Sequence, residues 1–280
     1  MPSRAADAAT KRTDRRRRGL PFSGVALNGQ LLEVQDLQVR YGSKTAIEGV
    51  SFDLAAGQTL GVVGESGSGK STLARAVLRL VPVAHGRVIF RGEDLAALHG
   101  AQLRARRRHV QIVFQDPLAS LNPRLSVGDA LADPLLIFEP SLRAVERRER
   151  VAHMLDRVGL DGSAAARYPD SFSGGQCQRI GIARAMMLRP ALLVADEPVS
   201  SLDVSIQGQI INLLADLQKE FGMAMIFISH NLAAIRHLSH QVLVLYRGRV
   251  VELADAPALF AAPQHPYTRA LLAAVPGQPP

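Results

Sequence analysis

Cysteine and tryptophan are almost absent from this chain, whose 280 residues include one cysteine, Cys177, and no tryptophan. A single thiol excludes an intramolecular disulfide framework, and no metal-ligand spacing surrounds it, so we expect a reducing compartment. An aromatic content of 5% does not suggest a carbohydrate-binding surface. The apolar run "FGMAMIFI" is far shorter than the roughly 20 residues that cross a bilayer. Because no apolar segment follows the basic start, we expect no secretory signal and a cytoplasmic protein.

Positive charge is concentrated at the start of the sequence. Residues 1–18 contain seven basic and two acidic side chains, a net charge of +5 out of the formal +8 of the whole chain. Such an arm can bind nucleic acid or an anionic membrane surface, but the charge alone does not identify a partner. Because few apolar groups are present there, we expect a solvated, disordered arm over residues 1–28.

The rest of the sequence alternates between strand-like and helical patterns. The stretches "LLEVQDLQVRY" and "AIEGVSFDL" predict early strands, and "TLGVV", "VQIVF", "ALLVAD", "MAMIFIS" and "QVLVLYRGRVVEL" predict later ones. Between them, "KSTLARAVLRLV" and "RAVERRERVAHMLDRVGL" have helical spacing. Strands that alternate with helices predict an α/β core with a mainly parallel sheet. A helical stretch punctuated by proline, residues 117 to about 188, is predicted to be an insertion in that core.

A glycine-rich turn joins one predicted strand to a predicted helix. The segment "GESGSGKS", residues 64–71, satisfies the pattern G-x-x-x-x-G-K-[ST] of a phosphate-binding loop. Its glycines allow backbone N–H groups to turn toward a β-phosphate, and the following helix N-terminus adds a positive dipole. Lys70 is expected to reach the β- and γ-phosphates, and the Ser71 hydroxyl to ligate magnesium. The predicted nucleotide contacts here are Gly64, Ser66, Gly67, Ser68, Gly69, Lys70, Ser71 and Thr72.

Two adjacent acidic residues end another apolar strand, in "LLVADEP". Asp196, at the carboxyl end of the strand, is suited to hold the magnesium shell through water. Glu197, one residue later, is suited to orient or deprotonate a water molecule for in-line attack on the γ-phosphate. A helix N-cap is the structural alternative for this pair. Because hydrolysis needs both a phosphate loop and such acids, the two motifs support one another.

Further motifs, in a fixed order, resemble those of the ATP-binding subunits of ABC transporters over about residues 31–280. Tyr41 lies where that family places an aromatic ring on adenine, Gln115 in "VFQDP" matches its γ-phosphate glutamine, and His230 in "FISH" matches its switch histidine. The segments "SFSGGQ" and "SSLD" resemble its signature loop and the loop that ends in Asp203. The resemblance implies a P-loop NTPase (RecA-like) core with a mainly parallel sheet, an antiparallel β subdomain and an inserted α-helical subdomain.

The resemblance also implies how the site works. Glu197, His230 and Gln115 are the expected catalytic residues, and ATP and Mg²⁺ are the expected cofactors. The expected magnesium contacts are Ser71, Gln115 and, through water, Asp196. In the family, ATP is held between the phosphate loop of one subunit and the signature loop of the other, whose helix N-terminus points at the γ-phosphate. The residues expected to contact ATP in trans are Ser173, Gly174, Gly175, Gln176 and Asp203.

Two longer segments resemble the oligopeptide, dipeptide and nickel importer branch of the family. The segment "FQDPLASLNPRLSVGDALADPL" is expected to receive the coupling helices of membrane subunits. The segment "PQHPYTRALLAAVP" resembles the branch's C-terminal extension, with a generic docking helix as its structural alternative. We therefore expect an arm at residues 1–28, an ATP-binding domain at 29–252 and an extension at 253–280. Because no cysteine follows Cys177, no iron–sulfur cluster is expected.

Two functions of different classes are compatible with these motifs. The first is an ATP-hydrolysing subunit that powers an importer of peptides, or of nickel or related solutes, at the cytoplasmic face of the inner or plasma membrane. Its expected partners are a second ATPase subunit, identical or different, two membrane permeases and, indirectly, a solute-binding protein. The alternative is a soluble, non-transport ATPase, either an accessory of phosphonate degradation or a nucleic-acid-acting machine. A nucleic acid is the less favoured partner, since such relatives usually carry tandem ATPase domains.

Cys177 directly follows the signature segment, and Phe172 stands where many family members carry leucine. A nucleophilic cysteine needs a base or electropositive activation. The nearby helix N-terminus and Arg179 could lower the pKa of the thiol, but no second residue for thiol catalysis is present. We therefore expect Cys177 to be incidental to the chemistry and sensitive to thiol modifiers, because it borders the predicted dimer contact.

Overall fold

A computed structural model describes residues 30–274 of the chain. Within this range the backbone forms ten β-strands and ten α-helices, with three short 3₁₀ turns. The strands are β1 (Gln30–Tyr41), β2 (Lys44–Ala55), β3 (Thr59–Val63), β4 (His85–Phe90), β5 (Glu93–Asp94), β6 (Val110–Val113), β7 (Leu192–Asp196), β8 (Ala224–Ile228), β9 (Gln241–Tyr246) and β10 (Arg249–Asp255). The helices are α1 (Lys70–Val77), α2 (Gly100–Arg107), α3 (Pro117–Ser120), α4 (Val127–Phe138), α5 (Ala144–Arg157), α6 (Gly174–Met186), α7 (Val204–Phe221), α8 (Leu232–Leu238), α9 (Ala256–Ala261) and α10 (Pro266–Ala273). The predicted arm, residues 1–28, lies outside the described residues, as does the end of the predicted extension, residues 275–280.

Two sheets organise the described chain. β2, β1, β4 and β5 pair in that order in an antiparallel sheet. β10, β9, β3, β8, β7 and β6 pair in that order in the core sheet, which is parallel from β9 to β6 and antiparallel at β9–β10. Helices α3 to α6 lie in the chain between β6 and β7. The predicted fold class is thereby confirmed, with its parallel core, its antiparallel β subdomain and its inserted helices.

The central strands of the core sheet are apolar along almost their whole length. β3 (TLGVV), β7 (LLVAD) and β8 (AMIFI) are buried at every position. Parallel sheets carry helices on both faces, so their strands need continuous apolar runs rather than alternation. Each fully buried leucine, isoleucine, valine or phenylalanine contributes roughly 1.5–3 kcal/mol, and these strands therefore supply much of the stabilisation of the core.

One of the inserted helices, α5, buries a single face against the apolar core. The predicted amphipathic helix of residues 143–160 forms α5, which buries Val151, Met154 and Leu155 and exposes charged residues between them. These three side chains belong to the same apolar cluster as much of α6 and α7. The alternation of apolar and charged residues at helical spacing is what permits this one-sided packing.

The end of the described chain is attached to the edge of the core sheet. The predicted boundary at residue 253 falls inside β10, which continues to Asp255 before α9 begins. The carboxylate of Glu252 in β10 accepts hydrogen bonds from the backbone N–H groups of Gln264, at 2.8 Å, and His265, at 3.0 Å.

None of the helices in residues 30–274 has both the length and the apolar character to cross a membrane.

Gly86, in β4, is expected to tolerate no side chain. It has a φ of +92°, and a Cβ there would overlap the backbone carbonyl oxygens of Gln35 and Asp36 in β1. Gly92 has a φ of +78°, but a Cβ there would meet no atom within 4 Å. Gly86→Ala is expected to lower the free energy of unfolding by about 2–4 kcal/mol, and the control Gly92→Ala by about 1 kcal/mol. Urea unfolding followed by circular dichroism measures both, and equal losses would contradict the overlap with β1.

Candidate active site

The predicted phosphate loop connects β3 to α1 through backbone conformations that need glycine. Gly64, Gly67 and Gly69 all have positive φ angles. A Cβ at Gly64 would overlap the carbonyl oxygen of Leu245 in the neighbouring strand β9. Glycine adopts positive φ at no steric cost, which other L-residues do not. α1 begins at Lys70, so its N-terminus and positive dipole lie at the end of the loop.

Two polar side chains of the loop are buried with unusual surroundings. Lys70 is only 6% exposed, and its ammonium donates hydrogen bonds to the carbonyl oxygens of Gly64, at 2.8 Å, and Glu65, at 2.9 Å. Burial lowers the pKa of Lys70, and nearby carboxylates partly oppose that shift. The buried hydroxyl of Ser68 has no hydrogen-bond partner among the described residues. A buried cation and an unpartnered donor in one loop fit an anionic ligand such as a phosphate.

An open cavity of about 580 Å³ lies over this loop. Tyr41, at the end of β1, forms part of its wall and is 47% exposed. Lys44 and Thr45, at the start of β2, and Arg247, in the β9–β10 turn, also line it, and none of these three was predicted from the sequence. The predicted site residues that line this cavity are Tyr41, Ser66, Gly67, Gly69, Lys70, Ser71, Thr72, Gln115 and Glu197.

The acidic pair at the end of β7 meets the loop directly. The Ser71 hydroxyl donates a hydrogen bond to the Asp196 carboxylate at 3.0 Å. Burial raises the pKa of Asp196, the hydrogen bond from Ser71 opposes that rise, and the charge of Glu197 adds to it. Neither acid caps a helix, because the next helix, α7, begins at Val204. A hydroxyl and a buried carboxylate in contact are oxygen donors of the kind that Mg²⁺ prefers.

The Glu197 carboxylate lies between two other predicted site residues. The Gln115 amide donates a hydrogen bond to its Oε2 at 3.4 Å, and Nδ1 of His230 lies 3.6 Å from the same atom. The backbone of Glu197 has a φ of +49°, and its N–H donates to the carbonyl oxygen of Ile228 at the end of β8. Such strain costs about 1–3 kcal/mol and concentrates at functional sites, where surrounding contacts maintain it.

The residues predicted to act in trans form a separate, partly exposed surface at the starts of α6 and α7. Ser173 caps α6: its hydroxyl accepts a hydrogen bond from the Gln176 N–H at 3.4 Å, and the Gln176 side chain accepts one from the Ser173 N–H at 3.0 Å. A Cβ at Gly175 would lie 2.7 Å from the Ile206 side chain, so this glycine permits close packing of α6 on α7. Asp203 is the N-cap of α7 but makes no side-chain capping bond. The residues of this surface, none of which lines the cavity over the phosphate loop, are Ser173, Gly174, Gly175, Gln176 and Asp203.

Cys177 is buried, whereas the sequence predicted a thiol that thiol modifiers can reach. It has no exposed surface, it belongs to the apolar core cluster, and its Sγ lies 3.5 Å from the carbonyl oxygen of Pro169. Burial raises the pKa of the thiol. The guanidinium of Arg179 instead donates to the Val158 carbonyl, at 2.7 Å, and to the Gln209 side chain, at 2.9 Å. The buried position argues against the expected sensitivity to thiol modifiers, because packing rather than a nearby positive charge determines the environment of the thiol.

The fold and the loop together define a phosphate-loop nucleotide-binding protein. A family model described as ABC transporter matches residues 47–200, and the chain belongs to that family. Over 259 residues the chain is 50% identical to the "Oligopeptide transport ATP-binding protein OppF" of Escherichia coli (strain K12), covering 88% of this chain and 78% of that protein. Over 231 residues it is 55% identical to the "Probable peptide ABC transporter ATP-binding protein y4tS" of Sinorhizobium fredii (strain NBRC 101917 / NGR234), covering 82% of this chain and 65% of that protein.

Two solved structures share the fold. One is cbiO1 from Clostridium perfringens, described as part of the ABC transporter complex cbiONQ, with a TM-score of 0.75, 27% identity, and coverage of 84% of this chain and 92% of that one. The other is the ATP-binding cassette MJ0796, a dimeric post-hydrolysis state bound to ADP and Pi, with a TM-score of 0.73, 27% identity, and coverage of 80% and 98%. The predicted family and the predicted fold class are confirmed.

Cys177 is expected to react negligibly with a thiol reagent such as Ellman's reagent in the folded protein. Burial removes access and raises the pKa of the thiol, so reaction requires local opening. A V204C variant is a suitable positive control, because Val204 is 84% exposed. The native thiol should react at least about 100-fold more slowly than the thiol introduced by V204C, and at a similar rate after unfolding. Similar rates in the folded protein would contradict the buried position.

Proposed function

We propose that this chain is the ATP-binding and ATP-hydrolysing subunit that powers an ABC importer of peptides. One arrangement around the phosphate loop carries the proposal: the Glu197 carboxylate lies within reach of Gln115 and His230. Beside it, the Ser71 hydroxyl contacts Asp196. The peptide class is supported by relatives whose names refer to oligopeptide or peptide transport. Those names favour a transport ATPase over the non-transport ATPase that the motifs also allow, and the name of a third relative, "Putative peptide import ATP-binding protein BOV_A0347", refers to import.

The nucleotide is proposed to bind with its phosphates in the loop and its base near Tyr41. Stacking of adenine on an exposed aromatic ring contributes roughly 0.5–1.5 kcal/mol beyond the area that it buries. The Lys70 ammonium would exchange its two carbonyl contacts for phosphate oxygens, and the unpartnered Ser68 hydroxyl would gain an acceptor. The predicted contacts of Gly64, Ser66, Gly67, Gly69 and Thr72 are part of this proposal.

Magnesium is proposed to be held by Ser71, by Gln115 and, through water, by Asp196. Bound Mg²⁺ stabilises developing charge on phosphate oxygens as a Lewis acid. No three His, Cys, Asp or Glu residues within residues 30–274 cluster to form a metal site of their own. Phosphate oxygens and water would therefore complete the six ligands, which is the usual coordination of Mg²⁺ in nucleotide sites. The raised pKa of Asp196 reflects the burial that a nearby cation would offset.

Hydrolysis is proposed to depend on Glu197, which would orient a water molecule and accept its proton. The strained backbone at Glu197 and the hydrogen bond from Gln115 hold the carboxylate before any substrate arrives. His230, on the other side, would contact the γ-phosphate and the same water. A preorganised set of this kind lowers the barrier because it needs no rearrangement at the moment of reaction.

The catalytic unit is proposed to be a dimer, either of two copies or of two related subunits. The trans surface at the starts of α6 and α7 does not line its own chain's nucleotide cavity, so it would serve the nucleotide of the partner. The Ser173 hydroxyl, the Gly174 and Gly175 N–H groups and the α6 dipole would face that γ-phosphate. The proposal is supported by a relative of the same fold that is dimeric with ADP and Pi bound.

The remaining proposed partners are two membrane permeases and, through them, a solute-binding protein. Several large apolar side chains on α3 and α4 are exposed, namely Leu118, Leu136 and Ile137. Exposed apolar groups of this kind are suited to receive a helix from a membrane subunit. We infer a location at the cytoplasmic face of the membrane. The proposal also keeps the division into an arm at residues 1–28, an ATP-binding domain at 29–252 and an extension at 253–280.

Glu197→Gln is expected to bind ATP normally, to form a stable ATP-bound dimer, and to lose roughly 100-fold or more in kcat. The amide keeps the size of the side chain but cannot accept a proton. Size-exclusion chromatography and phosphate release measure these effects, with Glu149→Gln on the exposed face of α5 as the matched control. Lys70→Ala should instead weaken nucleotide binding itself. Full turnover in the Glu197→Gln variant would exclude Glu197 as the base.

Ser173→Ala is expected to leave the affinity of the monomer for ATP unchanged within about twofold. It should reduce ATP-driven dimerisation and hydrolysis by about tenfold, because one charge-assisted hydrogen bond contributes about 1.5–3 kcal/mol. The change also removes a helix cap, which costs about 1 kcal/mol of stability. Ser126→Ala is the matched control, because Ser126 caps α4 in the same way. Analytical ultracentrifugation with ATP distinguishes the two variants. Equal dimerisation of both would contradict the trans contact.

A further inference from the structure

Helix α10, in the predicted extension, contacts the phosphate loop through one hydrogen bond. The Tyr267 hydroxyl accepts it from the backbone N–H of Glu65, at 3.0 Å. Glu65 is the second residue of the loop, and its carbonyl oxygen accepts the hydrogen bond from Lys70 at 2.9 Å. The N–H of Glu65 is thus held by the extension, while its carbonyl is held by the lysine that is proposed to bind phosphate.

The ring of Tyr267 provides a second connection to the nucleotide cavity. It packs against Tyr246, the last residue of β9, with ring centroids 4.3 Å apart. The guanidinium of Arg247 lies 5.2 Å from the centroid of the Tyr246 ring, and Arg247 lines the cavity over the phosphate loop. A change at Tyr267 therefore reaches that cavity by a backbone hydrogen bond and by a pair of tilted rings in contact.

The position of α10 is fixed by the residues that precede it. The Glu252 carboxylate accepts the N–H groups of Gln264 and His265, and Nδ1 of His265 accepts the N–H of Tyr267 at 3.1 Å. Pro266 occupies the first position of the helix, where its missing N–H has no cost. The segment "QHPYT" therefore attaches a short helix to β10 and directs its tyrosine toward the loop.

α10 also borders the reacting groups. Leu271 and Ala274 line a second cavity, of about 430 Å³, together with Lys70, Glu197 and His230. Leu271 of α10 and the residue that follows the helix therefore form part of a wall beside the predicted catalytic residues. An element that contacts both the loop and this wall is placed to influence the binding of the nucleotide.

We propose that Tyr267 is a positioning residue for nucleotide binding, whose hydroxyl holds the Glu65 peptide group so that the phosphate loop is preformed. This inference rests on the proposed function, because it presupposes that the loop binds a nucleotide. Without the hydroxyl, the Glu65 N–H loses its acceptor, and the nucleotide must order the loop as it binds. The ring contact with Tyr246 would persist, so the extension would stay attached.

Tyr267→Phe tests the proposal, because it removes the hydroxyl and keeps the ring. One hydrogen bond of this kind corresponds to a roughly three- to tenfold change in affinity. We expect calorimetry to give a Kd for ADP that is higher by that factor, with kcat at saturating ATP within twofold of wild type. Hydrogen exchange of nucleotide-free protein should become faster at the Glu65 amide, and the unfolding midpoint should stay within about 4 °C. Tyr168→Phe, the same change at an exposed tyrosine, is the matched control.

Either of two results would overturn the proposal: an unchanged Kd for ADP, whatever the kcat, or an unchanged exchange rate at Glu65. Faster exchange throughout residues 256–274 would also count against it, because that pattern describes a detached extension rather than a released loop. If the wild-type protein itself fails to bind ADP, the proposed function fails, and this inference fails with it. If wild type binds ADP and Tyr267→Phe binds it equally well, the inference alone is overturned.

Discussion

Four parallel strands of the core sheet, β3, β8, β7 and β6, are paired so that they end at the same edge. Their registers place Val62 beside Ile228, Ile228 beside Asp196, and Val113 beside Ala195. A shift of one residue in any pair would turn every side chain of that strand to the opposite face. The phosphate loop, Gln115, Glu197 and His230 follow the carboxyl ends of β3, β6, β7 and β8, so these registers bring them to one edge of the sheet.

Several features of that edge are unfavourable by themselves. Lys70 is a buried cation, Glu197 has a left-handed backbone, and the Ser68 hydroxyl has no partner. Each costs on the order of 1–3 kcal/mol, which is a large part of the net stability of a typical domain. The buried strands around them offset this cost. Under the proposed function, folding already holds these groups where a phosphate binds. The free energy spent on folding therefore reduces the rearrangement that the site needs when the phosphate arrives.

Local sequence patterns predicted the main strands of the fold and the position of the glycine-rich loop between β3 and α1. Apolar runs determine β3, β7 and β8, and the spacing of glycines determines the loop, because both effects act within a few residues. Arg247 and Tyr267 could not be predicted, since they reach the site through the pairing of β9 with β10 and through the attachment of α10. The burial of Cys177 was not predicted for a similar reason: α6 is packed on most of its circumference, including Ile180 and Ile182, which its short polar start does not indicate.

The trans surface does not line its own chain's cavity over the phosphate loop, and this separation has a genetic consequence. Under the proposed function, an altered Ser173 or Asp203 would leave the nucleotide loop of its own subunit intact and damage the site of the other. In a pair of different subunits, the defect caused by one gene would then appear in the product of another. Compensating substitutions would accordingly be expected between two genes rather than within this one.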